Sequence, residues 1–150
     1  MMLVAAACTL LVVVTTLLHY EALRALGVVL PRLRMRSRAK LVLVIVGAFV
    51  AHAAEIALYA GALYVLVRWA GAGALGSAPL TMDVALYFSA ETFTSLGYGD
   101  VVPQGPVRLI SGVEALNGLL LIGWSASYTY VSMERFWGTE APPAGADRGR

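Results

Sequence analysis

The chain has 150 residues, of which 59% are hydrophobic and only 13% charged, with a mean hydropathy of +0.76. Soluble domains carry nearer a quarter charged residues, so this composition excludes an ordinary water-soluble domain and fits one domain embedded in lipid. The net charge of +2 is small, and the single cysteine, Cys8, excludes an intramolecular disulfide and is expected simply to pack in its apolar run.

Residues 1–20 are almost wholly apolar and about long enough to span a bilayer. They lack the positive n-region of a secretory signal, and Glu21-Ala22-Leu23-Arg24 is a poor cleavage context, so a retained first helix is expected. Residues 21–40 then read as a short amphipathic stretch, an interruption at Gly27 and Pro31, and a basic segment. Six of the eleven basic residues (Arg24, Arg32, Arg34, Arg36, Arg38 and Lys40) crowd into this connection. A basic cluster abutting apolar spans is more simply a cytoplasmic loop than a nucleic-acid site. The same segment could bind anionic lipid headgroups through Arg32, Arg34, Arg36, Arg38 and Lys40, each contributing about 1 kcal/mol. Both readings place the loop in the cytoplasm and the N-terminus outside.

Residues 41–67 form a second expected span, with His52 and Glu55 near its middle, one helical turn apart. Ionisable groups at that depth face protein or water. Hydrogen bonding between helices is the leading expectation for this pair, with a proton- or ion-sensing role as the sharper one. His-x-x-Glu can also be half of a metal site, but no second His or Cys cluster in the sequence completes it. A Gly/Ala/Ser/Pro loop follows to Leu80, outside by alternation.

Thr81 is a plausible helix N-cap, with Asp83 well placed in the first turn. A helix over 82–94 would be about 20 Å long against a hydrocarbon core of about 30 Å, so it cannot span. It delivers Thr94-Ser95-Leu96-Gly97-Tyr98-Gly99-Asp100. Two glycines around a tyrosine suit backbone held at φ > 0, and irregular backbone at membrane depth must be buried in protein or line a water-filled path. Pro103 and Pro106 delay the next span until about 107–132, which runs inward and carries Glu114, Asn117 and Gly118. Glu114 and Asn117 are expected either to line a central cavity, with a role in gating, or to pair with Glu55 and His52 on the preceding span; pairing is favoured for Glu114 and the cavity for Asn117. Glu134 to Trp137 read as an inner interfacial anchor, and 136–150 as a short disordered cytoplasmic tail.

The loop has a definite chemistry. An unhydrated monovalent cation needs its water shell replaced, and consecutive carbonyls facing one axis can do that. One strand supplies only one oxygen per layer, so a ring of identical chains is required, most naturally four. Tyr98 is then expected to point away from the axis and brace the loop, while Glu91 and Asp100 add negative charge near the outer mouth.

The segment from Phe88 to Asp100, with Gly-Tyr-Gly-Asp after a short helix, between two spans and followed by Pro103, resembles the potassium-selective pore-loop channels. The resemblance covers about Leu41 to Arg135. Together with the apolar run at 1–20, it implies an all-α membrane protein, with three transmembrane helices plus a re-entrant pore helix and filter loop, assembling as a homotetramer around a central pore. It further implies that Ser95, Leu96, Gly97, Tyr98 and Gly99 form the filter, with potassium held at Ser95 to Tyr98. Tyr87, Glu91, Thr94 and Asp100 would support it. Glu91 and Asp100 match a carboxylate pair that shares a proton behind the filter in some members, and a Tyr87 hydroxyl could reach Asp100. Gly118 falls near the usual inner-helix hinge. Ser95 and Leu96 replace the more usual Thr and Val, and the first helix is extra to the two-span pattern.

The implied function is passive potassium conduction, with potassium the permeant species and no cofactor; the alternative is a non-selective cation channel or a non-conducting subunit of the same fold. An enzyme is not expected: His19 and His52 stand apart, and the sequence offers no Ser-His-Asp set, metal constellation or phosphate-binding loop. No helix carries arginine at every third position, so a voltage sensor is not expected either. His52, Glu55, Glu91 and the basic loop make pH or lipid the expected gating stimulus. The expected location is a plasma or bacterial inner membrane.

Overall fold

A computed structural model describes residues 1–77 and 79–138; the side chain of Trp137 and the tail beyond Gly138 lie outside the described residues. Four α-helices follow in order: α1 (Met2–Val29), α2 (Ser37–Arg68), α3 (Met82–Phe93) and α4 (Arg108–Gly138). Three segments, Met2–Arg32, Ser37–Arg68 and Gly105–Phe136, are long and apolar enough to cross a membrane, while α3 is a 12-residue helix and is not.

The first helix runs nine residues past the expected 1–20 boundary. Glu21 to Leu26 continue its register, and Gly27 sits inside the helix against the Tyr128 hydroxyl, where even an added Cβ would be 3.4 Å away. Glycine costs a helix about 1 kcal/mol, which packing offsets here. Pro31 ends it, within a short 3-10 turn at Leu30–Arg32. The basic cluster is therefore divided. Arg32 lies in that turn, Arg34 and Arg36 in an extended link, and Arg38 and Lys40 in the first turn of α2.

The core runs through all four helices. Val4, Cys8 and Leu11 of α1 meet Tyr59, Leu63 and Leu66 of α2, Phe88 and Phe93 of α3, and Ile110 and Leu121 of α4. Cys8 packs there as a free thiol. A second cluster, Leu30, Val44 and Phe136, closes the end that carries the basic residues. There the Ser37 hydroxyl donates to the Phe136 carbonyl at 3.2 Å and Lys40 Nζ lies 5.6 Å from the Phe136 ring centroid. At the opposite end β1 (Ala74–Leu75) pairs antiparallel with β2 (Pro103–Gln104), in the register Ala74 to Gln104 and Leu75 to Pro103. This small ladder ties the loop after α2 to the chain leaving the Gly-Tyr-Gly segment.

Outside that core the helices are apolar but uncovered. Only 22–33% of the most apolar window of each long helix is buried within the chain. A surface with Leu10, Leu17, Phe49, Val50, Leu116 and Leu120 exposed would not persist in water, so its surroundings are lipid or further protein.

Candidate functional site

The irregular stretch begins where α3 ends, and the helix terminates in a defined way. Leu96 N–H donates to the Glu91 carbonyl at 2.8 Å and Ser95 N–H to the Thr92 carbonyl at 3.0 Å. These 6→1 and 5→2 bonds form a Schellman cap, with Ser95 at the left-handed position (φ 57°) that glycine usually occupies. Ser95 is the one non-glycine residue at positive φ among the described residues. Gly97 (φ 55°) and Gly99 (φ 81°) continue the pattern, so every second residue from 95 to 99 is left-handed. Leu96 and Tyr98 between them are not. An L side chain at such a position costs about 1–2 kcal/mol, which explains the two glycines.

Two side chains hold this backbone from behind. Glu91, buried on α3, accepts the Tyr98 N–H on Oε2 at 3.1 Å, while its own carbonyl takes Leu96 N–H and, at 3.3 Å, Gly97 N–H. Tyr87 donates its hydroxyl to the Asp100 carboxylate at 3.1 Å, and Asp100 also accepts the Val101 N–H. Burial and then the Asp100 carboxylate raise the Tyr87 pKa, so the protonated donor is favoured. Thr94 turns its hydroxyl back to the Ala90 carbonyl at 2.8 Å. At the other end of α3, Thr81 is the N-cap residue but makes no side-chain bond to the helix backbone; it bonds Asp83 instead, which with the backbone lowers the Asp83 pKa. Ser95 through Asp100 are all exposed in the single chain, Tyr98 at 70%.

The inner helix meets this unit at Gly118. A Cβ there would lie 2.1 Å from the Phe93 carbonyl oxygen, so α4 approaches the last turn of α3 as closely as backbone allows. Gly118, expected near a hinge, sits at a close-contact position.

Two expectations about α4 need correcting. Glu114 does not pair with Glu55 or His52. It is fully buried against α3, where the Ser89 hydroxyl contacts Glu114 Oε1 and also the Ile56 carbonyl at 2.9 Å. Its Oε2 has no hydrogen-bond partner among the described residues. Asn117 does not face an open cavity. It is buried and donates to Thr15 Oγ1 at 2.8 Å and to the Tyr59 hydroxyl at 3.2 Å, linking α4 to both α1 and α2. In each case the helix turns its polar residue toward its own chain, where Asn117 finds two partners and Glu114 one for its Oε1, because an unsatisfied polar group in an apolar layer is costly.

A third correction concerns the histidines. His19 and His52 are far apart in sequence but adjacent in space, with stacked rings 5.1 Å apart, each bonding one oxygen of Glu55. Sequence reading missed His19 and its neighbours Thr15 and Ser125. The available signal was spacing: Val4, Cys8, Leu11, Thr15, His19 and Leu23 recur at three and four residues and form the buried face of α1.

A short helix lodged between two spans, ending in alternating left-handed backbone, defines a membrane-embedded pore-loop protein. A family model described as "Ion channel" matches residues 40–135, and the chain belongs to this pore-loop ion-channel family, a non-enzymatic class; the N-terminal helix α1 lies ahead of the matched region. Searches of curated proteins and of solved structures returned no match.

Proposed function

We propose that the chain is one subunit of a homotetrameric, potassium-selective channel whose filter is built from Ser95, Leu96, Gly97, Tyr98 and Gly99. The observation that carries this reading is the alternation of left-handed backbone at 95, 97 and 99 in a loop that is held from behind and open in front. Alternation of this kind turns successive carbonyls toward one side, as replacement of an ion's hydration shell requires. One chain supplies one oxygen per layer, and the Tyr98 ring, 70% exposed in the single chain, needs a neighbour to brace it. Both needs are met by further copies around an axis. By the positive-inside rule the basic segment lies in the cytoplasm, with the N-terminus outside and the C-terminus inside a plasma or bacterial inner membrane. Arg32, Arg34, Arg36, Arg38 and Lys40 would then face anionic headgroups.

Ser95 favours a second reading, a pore of the same build without potassium selectivity. Its place in the cap of α3 leaves less of the loop for coordination than the resemblance implies. Flux into vesicles reconstituted with purified protein decides between them. Potassium flux that barium blocks and sodium does not replace supports the selective filter; equal sodium and potassium flux supports the second reading. Gly97→Ala, which places a side chain at φ 55°, is expected to abolish selective flux. Selective flux that persists in this variant would overturn the filter assignment.

A further inference from the structure

The cluster His19, His52 and Glu55 lies in the wall between α1 and α2, away from the conduction chemistry just described. Glu55 and His19 are fully buried and His52 is 17% exposed. His19 Nδ1 is 2.9 Å from Glu55 Oε1, and His52 Nδ1 is 2.9 Å from Glu55 Oε2. One donor atom from each of the three residues falls within 4.8 Å of the others. The His52-x-x-Glu55 pair of α2 thus gains from α1 the third ligand that its own neighbourhood in sequence does not provide.

We infer that His19, His52 and Glu55 form a binding site for a divalent transition-metal ion, bridging the N-terminal helix to the channel domain. Two imidazoles and one carboxylate suit zinc and its first-row neighbours rather than calcium or magnesium, which take oxygen ligands. At metal–ligand distances of about 2.0–2.2 Å, a tetrahedral centre sets its ligand atoms about 3.3 Å apart. The two 2.9 Å contacts go to different oxygens of Glu55 and the three donor atoms lie within 4.8 Å of one another, so side-chain shifts of about 1 Å bring them to that spacing. Coordination through Nδ1 puts each remaining ring proton on Nε2, and His19 Nε2 lies 3.3 Å from Ser125 Oγ on α4. A ligating histidine characteristically gives its second N–H to such a partner, which fixes ring and tautomer. The Trp124 ring lies beside that of His19, with centroids 5.3 Å apart.

The site also has an approach and a neighbour of consequence. His52 lines a cavity of about 190 Å³ together with Phe49, Ile56, Phe93 and Thr94, and its ring is 5.7 Å from that of Phe93. Phe93 and Thr94 directly precede Ser95. A bound ion would fix α1 against α2 one side chain away from the root of the loop. This inference does not rest on potassium selectivity, since metal binding is read without any flux.

The test uses full-length protein in detergent, freed of its affinity tag and stripped with chelator, then titrated with zinc chloride and, separately, cobalt chloride. The expected result is one zinc per chain and the intense visible absorption of tetrahedral cobalt(II). His19→Gln and His52→Gln should each weaken zinc binding at least tenfold and lose the cobalt spectrum, and Ser125→Ala should weaken it about tenfold. His19→Cys, which restores a ligand, should retain the metal and add a thiolate-to-cobalt absorption band. Size-exclusion elution like that of the parent shows that each variant is folded. The inference is overturned if the parent takes up no stoichiometric metal, or if folded His19→Gln and His52→Gln bind zinc as the parent does. A parent that binds no metal would leave the three residues a hydrogen-bonded proton site.

Discussion

The main-chain N–H of Tyr98 donates to the carboxylate of Glu91 at 3.1 Å, so the helix that delivers the loop also holds the loop's middle. Glu91 is buried, and its removal takes away the acceptor that ties the middle of the loop to α3. Glu91→Ala is expected to destabilise the loop by about 1–3 kcal/mol, the cost of losing that hydrogen bond. Glu91→Gln keeps an oxygen acceptor and should lose far less. Cation selectivity in reconstituted vesicles reads the difference: glutamine close to the parent, alanine leaky to sodium. Equal behaviour of the two variants would show that the contact does not hold the loop.

Ser95 occupies the left-handed cap of α3, where a side chain costs about 1–2 kcal/mol relative to glycine. Ser95→Gly should therefore stabilise the chain by about 1 kcal/mol, and Ser95→Val, β-branched and without the hydroxyl, should destabilise it. Denaturation in detergent followed by circular dichroism checks the ordering. A destabilised glycine variant would mean that the serine hydroxyl matters more than the backbone conformation.

At Gly118 the constraint is steric. Gly118→Ala sets a methyl group 2.1 Å from the Phe93 carbonyl oxygen and must push α4 off α3, at a cost of about 1–3 kcal/mol or more. Gly112 has nothing within 4 Å of its added Cβ. Gly112→Ala should thus be neutral in the single chain, or gain up to about 1 kcal/mol from helix propensity. Thermal unfolding of the two variants side by side distinguishes close approach from general intolerance of α4.

The docking of α1 is open to a double-mutant cycle. Thr15→Val and Asn117→Ala each break the 2.8 Å bond between α1 and α4. Their coupling is expected at about 0.6–1.7 kcal/mol, the range for hydrogen bonds between membrane helices. Additive effects would mean that this bond does not hold α1 to α4 and that apolar packing and the His19 contacts do.

Much of this architecture was legible in the chain itself. The three apolar runs, the helix too short to span, and the glycines flanking Tyr98 fixed what each segment had to be, because length against bilayer thickness and freedom at φ > 0 are local properties. The reach of Tyr87 to Asp100 followed from their places around one loop. Boundaries were less secure: α1 runs through Gly27 because tertiary contact, absent from a local reading, outweighs a propensity cost of about 1 kcal/mol.

Which polar residues meet was decided only by the tertiary structure. Glu114 has residues from several elements within its compass, and helix rotation selects Ser89 over Glu55 and His52. Asn117 turns toward Thr15 and Tyr59 instead of an open cavity for the same reason. His19 looked isolated because its partners lie 33 and 36 residues further along, and only the packing of α1 on α2 brings the three together. Sequence determines which side chains need a partner in an apolar layer; the relative rotation of packed helices determines which partner each one gets.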